Sequence, residues 1–319
     1  MARSGRSPIL QRFAIAGRFA PGRDRETLEM HTPRLSPPAL ALAAALLAAG
    51  CASGPGAPGP AASEPVADTA QRLDSAIAGD HRSPESLARD AWRHPKETLG
   101  FFGLEHDMTV MEVWPGASGW YTEILAPALR EHGRLIAASW DPAADSRYVQ
   151  DSLRAYRARL DARPDVYDRV EVVALHHPSA MDPVPPASVD MVLTFRNLHN
   201  WMPRDAARPM LEAMYAALKP GGILGVVEHR ARPDRPQDPK ARSGYVREDY
   251  AIELIESVGF RLTGSSEINA NPADTKDYDQ GVWALPPTLR LGAANRERYL
   301  AIGESDRFTL RFEKPAARD

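Results

Sequence analysis

A single cysteine, Cys51, serves all 319 residues, so no intrachain disulfide can form and the folded core must carry its own stability. Lysine is scarce beside arginine, and acidic side chains outnumber basic ones, 42 to 39. A net charge of −3 offers no general excess of positive charge for a phosphate backbone, so nucleic acid is not an expected partner. No apolar run reaches the roughly 20 residues that a membrane-spanning helix needs. The dinucleotide fingerprint G-x-G-x-x-G is missing, which argues against a dehydrogenase of that type. Internal repeats are absent, and the nine histidines follow no familiar metal-ligand spacing, so no metal residues are assigned.

What is present begins with Leu40 to Ala49, an unbroken run of Ala and Leu that suits the hydrophobic part of a secretory signal. Leu47-Ala48-Ala49-Gly50-Cys51 resembles a bacterial lipobox. The resemblance implies lipidation at Cys51, a membrane partner through that anchor, and a periplasm-facing place in the cell envelope. Ala52-Ser53, with no Asp beside the cysteine, points to the outer membrane. If the signal reading fails, the protein is cytoplasmic; membrane fractionation of Cys51→Ser is the check. Met30 sits where such a signal would start, so residues 1–50 read as leader. Residues 51–78 read as lipidation site and linker, rich in Pro, Gly and Ala over 52–65. Residues 79–319 form the folded domain.

That domain is organised around Met108 to Tyr121. Met108, Val110, Met111 and Val113 alternate as in a buried strand, with Glu112 near its end. Pro115-Gly116 turns the chain, Gly119 follows, and Tyr121 to Arg130 reads as an amphipathic helix. Glycine lets backbone approach a ligand, and helix-start N–H groups attract negative charge. Gly133–Trp140 and Val170–Leu175 read as further strands, with a helix over Asp145–Leu160 between them. Met191–Phe195 reads as a fourth strand, running into Arg196-Asn197-Leu198-His199-Asn200-Trp201. A helix over Asp205–Leu218 then leads through Lys219-Pro220-Gly221-Gly222 to a strand at Ile223–Val227, which ends in Glu228-His229-Arg230. A helix up to Val258, a strand from Gly259, and Phe308–Phe312 complete the pattern.

The segment Glu112 to Gly119 resembles motif I of the class I S-adenosylmethionine (SAM)-dependent methyltransferases in the variant form acid-x-x-Pro-Gly, with Trp114 and Ser118 at two places usually held by glycine. LKPGG before an apolar strand resembles the family in the same way. The resemblance spans roughly Glu105 to Lys314. It implies an α/β Rossmann-like fold: a seven-stranded, mostly parallel sheet, its last strand antiparallel between strands five and six, with helices on both faces. It implies SAM as cofactor and methyl transfer to a small-molecule or otherwise unknown acceptor.

On that alignment Glu112, Gly116, Gly119 and Tyr121 belong to the cofactor site. Ser139, with Asp141 two residues on, falls where the family carries a ribose-binding acid, and His176 falls near the adenine amine. Ligands bind open α/β sheets at the carboxyl ends of strands, near the switch point between strands one and four. Arg196, Asn197 and His199 sit there. His199 is the first candidate base, Asn197 an orienting group, Tyr245 a more distant base, and Arg196 a cofactor contact. Arg196 and Arg230 are alternative anchors for an acidic acceptor, or partners of Glu228. Arg89, Asp90, Arg93 and His94 either cover a sheet edge or form a lid. The alternative function is a catalytically inactive, lipid-anchored envelope binding protein on the same scaffold, since SAM is made in the cytoplasm.

Overall fold

The computed structural model describes residues 68–316; the leader, Cys51 and the Pro/Gly/Ala linker lie outside them. Seven strands are present: β1 (Thr109–Val113), β2 (Arg134–Ser139), β3 (Glu171–Ala174), β4 (Val189–Phe195), β5 (Leu218–His229), β6 (Arg261–Ser266) and β7 (Arg307–Glu313). They pair in the order β3-β2-β1-β4-β5-β7-β6. Pairings among β1 to β5 are parallel, and β7 runs antiparallel to both β5 and β6. This is the Rossmann-like methyltransferase topology expected from the sequence, with the reversed strand inserted between strands five and six.

Alternation along β1 explains its central place. Met111 and Val113 join one core cluster with Met210, Met214 and Trp201, while Val110 joins another on the opposite face with Ile124, Leu125 and Leu129. A strand buried on both faces is what a parallel sheet flanked by helices requires. The helices are α1 (Thr69–Ile77), α2 (Pro95–Phe102), α3 (Thr122–Leu129), α4 (Arg147–Ala162), α5 (Ala207–Ala217), α6 (Glu248–Glu256) and α7 (Arg296–Ile302), with shorter turns between them. Among the described residues no helix is long and apolar enough to cross a membrane. Leu73 and Ala76 of α1 are buried in the α3 cluster, so this helix packs as part of the domain core.

Two boundaries differ from the sequence pattern. The fifth strand starts at Leu218 because Lys219 to Gly222 pairs outward: the Gly221 N–H donates to the Lys314 carbonyl at 2.8 Å. The helix expected from Asp205 begins at Ala207, since Met202–Arg204 forms a 3-10 turn closed by Asp205 at φ +55°.

Strand order reverses between β1 and β4, so their carboxyl ends open the crevice of a switch point. Two residues other than glycine adopt left-handed backbone there: Trp114 after β1 (φ +50°) and Arg196 after β4 (φ +60°). Such conformations cost of order 1–3 kcal/mol and persist where surrounding structure enforces them.

Candidate active site

A cavity of about 300 Å³ opens at the carboxyl ends of β1, β4 and β5. It is bounded by Glu112, Gly116, Tyr121, Arg196, Asn197 and His199 from the sequence-derived set. A second cavity of about 630 Å³ adjoins it across Trp114, Trp140, Tyr148 and Asn200, and holds Asp141 and His176. Eight of the eleven candidates therefore line these two neighbouring cavities, six in the first and two in the second.

Gly116 supplies its open floor. With φ +73°, its missing Cβ would meet no atom within 4 Å. Trp114 forms a wall beside that space: its indole N–H donates to the Leu175 carbonyl at 2.8 Å, and its ring meets Trp140, His176 and Trp201 at 5.3, 6.1 and 5.8 Å between centroids.

Glu112 is 2% exposed, and one oxygen accepts from the Thr122 hydroxyl at 2.6 Å. Burial raises its pKa to about 7, against the opposing pull of Thr122 and Arg196. A carboxyl whose folded pKa is raised adds stability at low pH and loses it as pH rises through about 7. Tyr121 stacks on Phe195 at 3.4 Å and 8°. In the second cavity, Asp141 caps the Ala143 N–H at 2.8 Å. The His176 Nδ1 is buried without a hydrogen-bond partner, and burial lowers its pKa, which favours neutral imidazole.

At the end of β4, Asn197 commits its amide protons to the Val113 carbonyl (2.8 Å) and the Thr194 hydroxyl (3.2 Å), tying β4 to β1. His199 Nδ1 lies 2.9 Å from Glu228 Oε1. A carboxylate can only accept, so Nδ1 carries the proton, and in the neutral ring the lone pair is on Nε2. Glu228 is fully buried and also accepts from the backbone N–H groups of His199 (3.2 Å) and His229 (2.8 Å). His229 in turn bonds Ser305 through Nδ1 at 2.5 Å. Burial, then neighbouring His199, Arg196, Arg307 and Arg93, hold the His229 pKa well below its ordinary value, so it stays neutral.

Three candidates sit elsewhere. Gly119 lines neither cavity and faces packed side chains: an added Cβ would lie 2.8 Å from the Tyr156 ring and 3.2 Å from Thr122 Oγ1. Ser139 is 2% exposed and borders neither cavity, its carbonyl taking the Leu175 N–H at 2.7 Å. Tyr245 donates to the Asp274 carboxylate (3.0 Å), and burial with that charge pushes its pKa up, away from base chemistry. Arg230 pairs with Glu248, Glu267 and Asp306 instead of Glu228.

The structure adds groups the sequence did not single out. Glu304 and Ser305 enter the cavity from the loop before β7, and Trp283 from the segment before α7. Of the lid candidates read from the sequence, Arg89 and Arg93 border it too, whereas Asp90 is held by Arg82 at 2.7–2.8 Å. Glu304 is 4% exposed and receives Arg89 (2.7 Å), Arg93 (3.1 Å) and Arg307 (3.0 Å). Burial alone would push its pKa up, but Arg93, Arg307 and Arg89 outweigh burial and hold it well below the usual carboxylate range. Histidines that match no linear metal motif also converge: His199, Glu228 and His229 offer ligand atoms within 4.8 Å of one another, because β4 and β5 are adjacent and in register.

No protein-family model and no curated protein matches the chain. Solved structures resemble it in outline. A SAM-dependent methyltransferase from Aquifex aeolicus is 16% identical over 77% of this chain and 98% of its own, with TM-score 0.48. The [4+2]-cyclase SpnF is 15% identical over 78% of this chain and 93% of its own, with TM-score 0.48. A putative sarcosine dimethylglycine methyltransferase from Galdieria sulphuraria is 10% identical over 75% and 89%, again with TM-score 0.48. At this distance the resemblance says nothing of substrate or activity.

Proposed function

We propose that the crevice binds SAM and that the protein transfers its methyl group to an acceptor held beside His199. The observation that carries this reading is the open, Cβ-free space at Gly116, in the cavity that the buried Glu112 borders, with the unpartnered His176 Nδ1 in the neighbouring cavity beyond Trp114. The residues fit the cofactor's parts. Neutral His176 and Asp141 would hold the nucleoside end, and Glu112 with the Gly116 backbone the amino-acid end. A bound SAM would supply an electrophilic methyl on a sulfonium, which departs as a neutral thioether.

The protein's own part is positioning and proton removal. Glu228 fixes the His199 ring and its tautomer, leaving Nε2 to take the proton that a hydroxyl, thiol or amine acceptor loses as it gains the methyl. Asn197 anchors the two strand ends that carry these groups, and orientation of reactants supplies most of the effect in such displacements. Neutral His229 adds no positive charge beside the imidazolium that forms on His199.

A crystal structure of the protein with S-adenosylhomocysteine (SAH) tests the reading. The expected result is the adenosyl group in the crevice between Gly116 and His176. Ligand bound elsewhere, with that crevice unchanged, rejects it.

A further inference from the structure

The arginines around the cavity are not matched by acids. Arg89, Arg93 and Arg307 all converge on the one carboxylate of Glu304. A fourth, Arg196, borders the cavity and makes no ion pair among the described residues. Its Nη1 is buried with no hydrogen-bond partner. The nearby acids are engaged: Glu112 with Thr122, and Glu228 with His199 and two backbone N–H groups. Three guanidiniums thus share one contacting carboxylate, and among the described residues the fourth contacts none. Arg196 is half-buried, but a buried guanidinium nitrogen without a partner is costly, and the chain adopts a left-handed backbone at the same residue.

Two occupants can be compared by charge. A divalent cation on His199, Glu228 and His229 would sit near the positive charges of Arg196, Arg307 and Arg93, and both Glu228 oxygens already accept hydrogen bonds. The cavity's excess charge disfavours it. An anion meets the opposite situation, since an unpaired guanidinium is a preformed fork for an oxyanion. The cofactor of the proposed reaction does not supply the balance. Its sulfonium and ammonium outweigh its carboxylate, so it enters with a net positive charge.

We infer that Arg196 binds an oxyanion, a carboxylate or a phosphate, carried by the methyl acceptor. This rests on the methyl-transfer reading above and names the substrate class for it. The guanidinium grips the acceptor's charged end while His199, three residues further along the same loop, serves its nucleophilic atom. Catalysis then needs an acceptor with an acidic group a short distance from a hydroxyl, thiol or amine.

The test needs no knowledge of that acceptor. Trp114, Trp120, Trp140 and Trp283 border the cavity, so binding can be followed by tryptophan fluorescence on the full-length chain. Inorganic phosphate and malonate are the probes, at fixed ionic strength so that general screening cancels. The wild type binds one or both saturably, Arg196→Met binds at least about tenfold more weakly, and Arg196→Lys falls between, because lysine keeps the charge without the planar fork. Without anion, Arg196→Met raises the unfolding midpoint by about 2–4 °C, since a half-buried guanidinium with an unsatisfied Nη1 is removed; a purely structural arginine would lower it.

Which probe binds separates a carboxylate from a phosphate acceptor. A repeat with saturating SAH separates the acceptor from the cofactor: anion binding persists if the acceptor occupies Arg196, and is displaced if the cofactor's own carboxylate does. Displacement, no saturable binding of either probe, or equal affinity in Arg196→Met overturns the inference. Failure of SAH to bind, with anion binding intact, counts against the methyltransferase reading alone.

Discussion

Replacing Glu304 by alanine lowers the stability of the fold by about 3–5 kcal/mol, the cost of leaving buried charges without their partner. Arg93 and Arg307 are 3% and 1% exposed and cannot turn to solvent, while Arg89 is only partly accessible. The same carboxylate that is costly to bury becomes indispensable once three guanidiniums are built around it. The contrast with Arg196 is informative, because removing the one arginine that Glu304 does not pair works in the opposite direction.

Glu304 also sets an acid limit. Its folded pKa is depressed below the unfolded value, so its contribution is present above the ordinary carboxylate range and is lost as pH falls through that range toward the folded value. His229 adds to the loss earlier, since its depressed folded pKa makes protonation favour the unfolded chain as pH drops below the ordinary histidine range. Urea unfolding from neutral into acid pH should show a steep fall for the wild type and a flatter one for Glu304→Ala. Equal midpoints for the two proteins at neutral pH would show that the arginines have another counter-charge.

The second large effect concerns binding. Gly116→Trp weakens SAH binding by about 100-fold or more, roughly 2.7 kcal/mol, while the protein still unfolds cooperatively. The space in front of Gly116 is free to 4 Å, so the new ring enters the crevice without pressing on the core. The left-handed backbone at this position adds about 1–2 kcal/mol of strain for any side chain. A calorimetric titration beside a thermal melt separates the two effects. Unchanged affinity in a folded Gly116→Trp would mean that the cofactor lies elsewhere.

The fold was readable because its signals are local. The alternation over Met108–Val113, the turn at Pro115-Gly116 and the LKPGG break each follow from residues a few positions apart. That His199 borders the cavity was readable for the same reason, as a polar side chain just past a buried strand. Its partner Glu228 was visible at the end of the next strand, but only the parallel register of β4 and β5 shows that the two meet. Arg89 and Arg93 stood out in sequence as lid candidates, but their convergence with Arg307 on Glu304 was not readable. Arg93 and Glu304 are 211 residues apart in sequence, and the loop before β7 carries no turn or periodicity signal that would direct it into the cavity. Gly119 and Ser139, placed in the cofactor site by alignment, line neither cavity: Gly119 packs against Tyr156 and Ser139 is buried within β2. Tyr245 follows the same rule, since a phenol held by a buried carboxylate is satisfied where it stands.

The central claim is that the crevice at Gly116 accepts an adenosyl sulfonium and its demethylated product. Calorimetric titration of the full-length wild-type chain with SAH puts it to the most direct test. The account predicts saturable heat with one site per chain; an absence of heat from a folded protein, with SAM as well as with SAH, would contradict it.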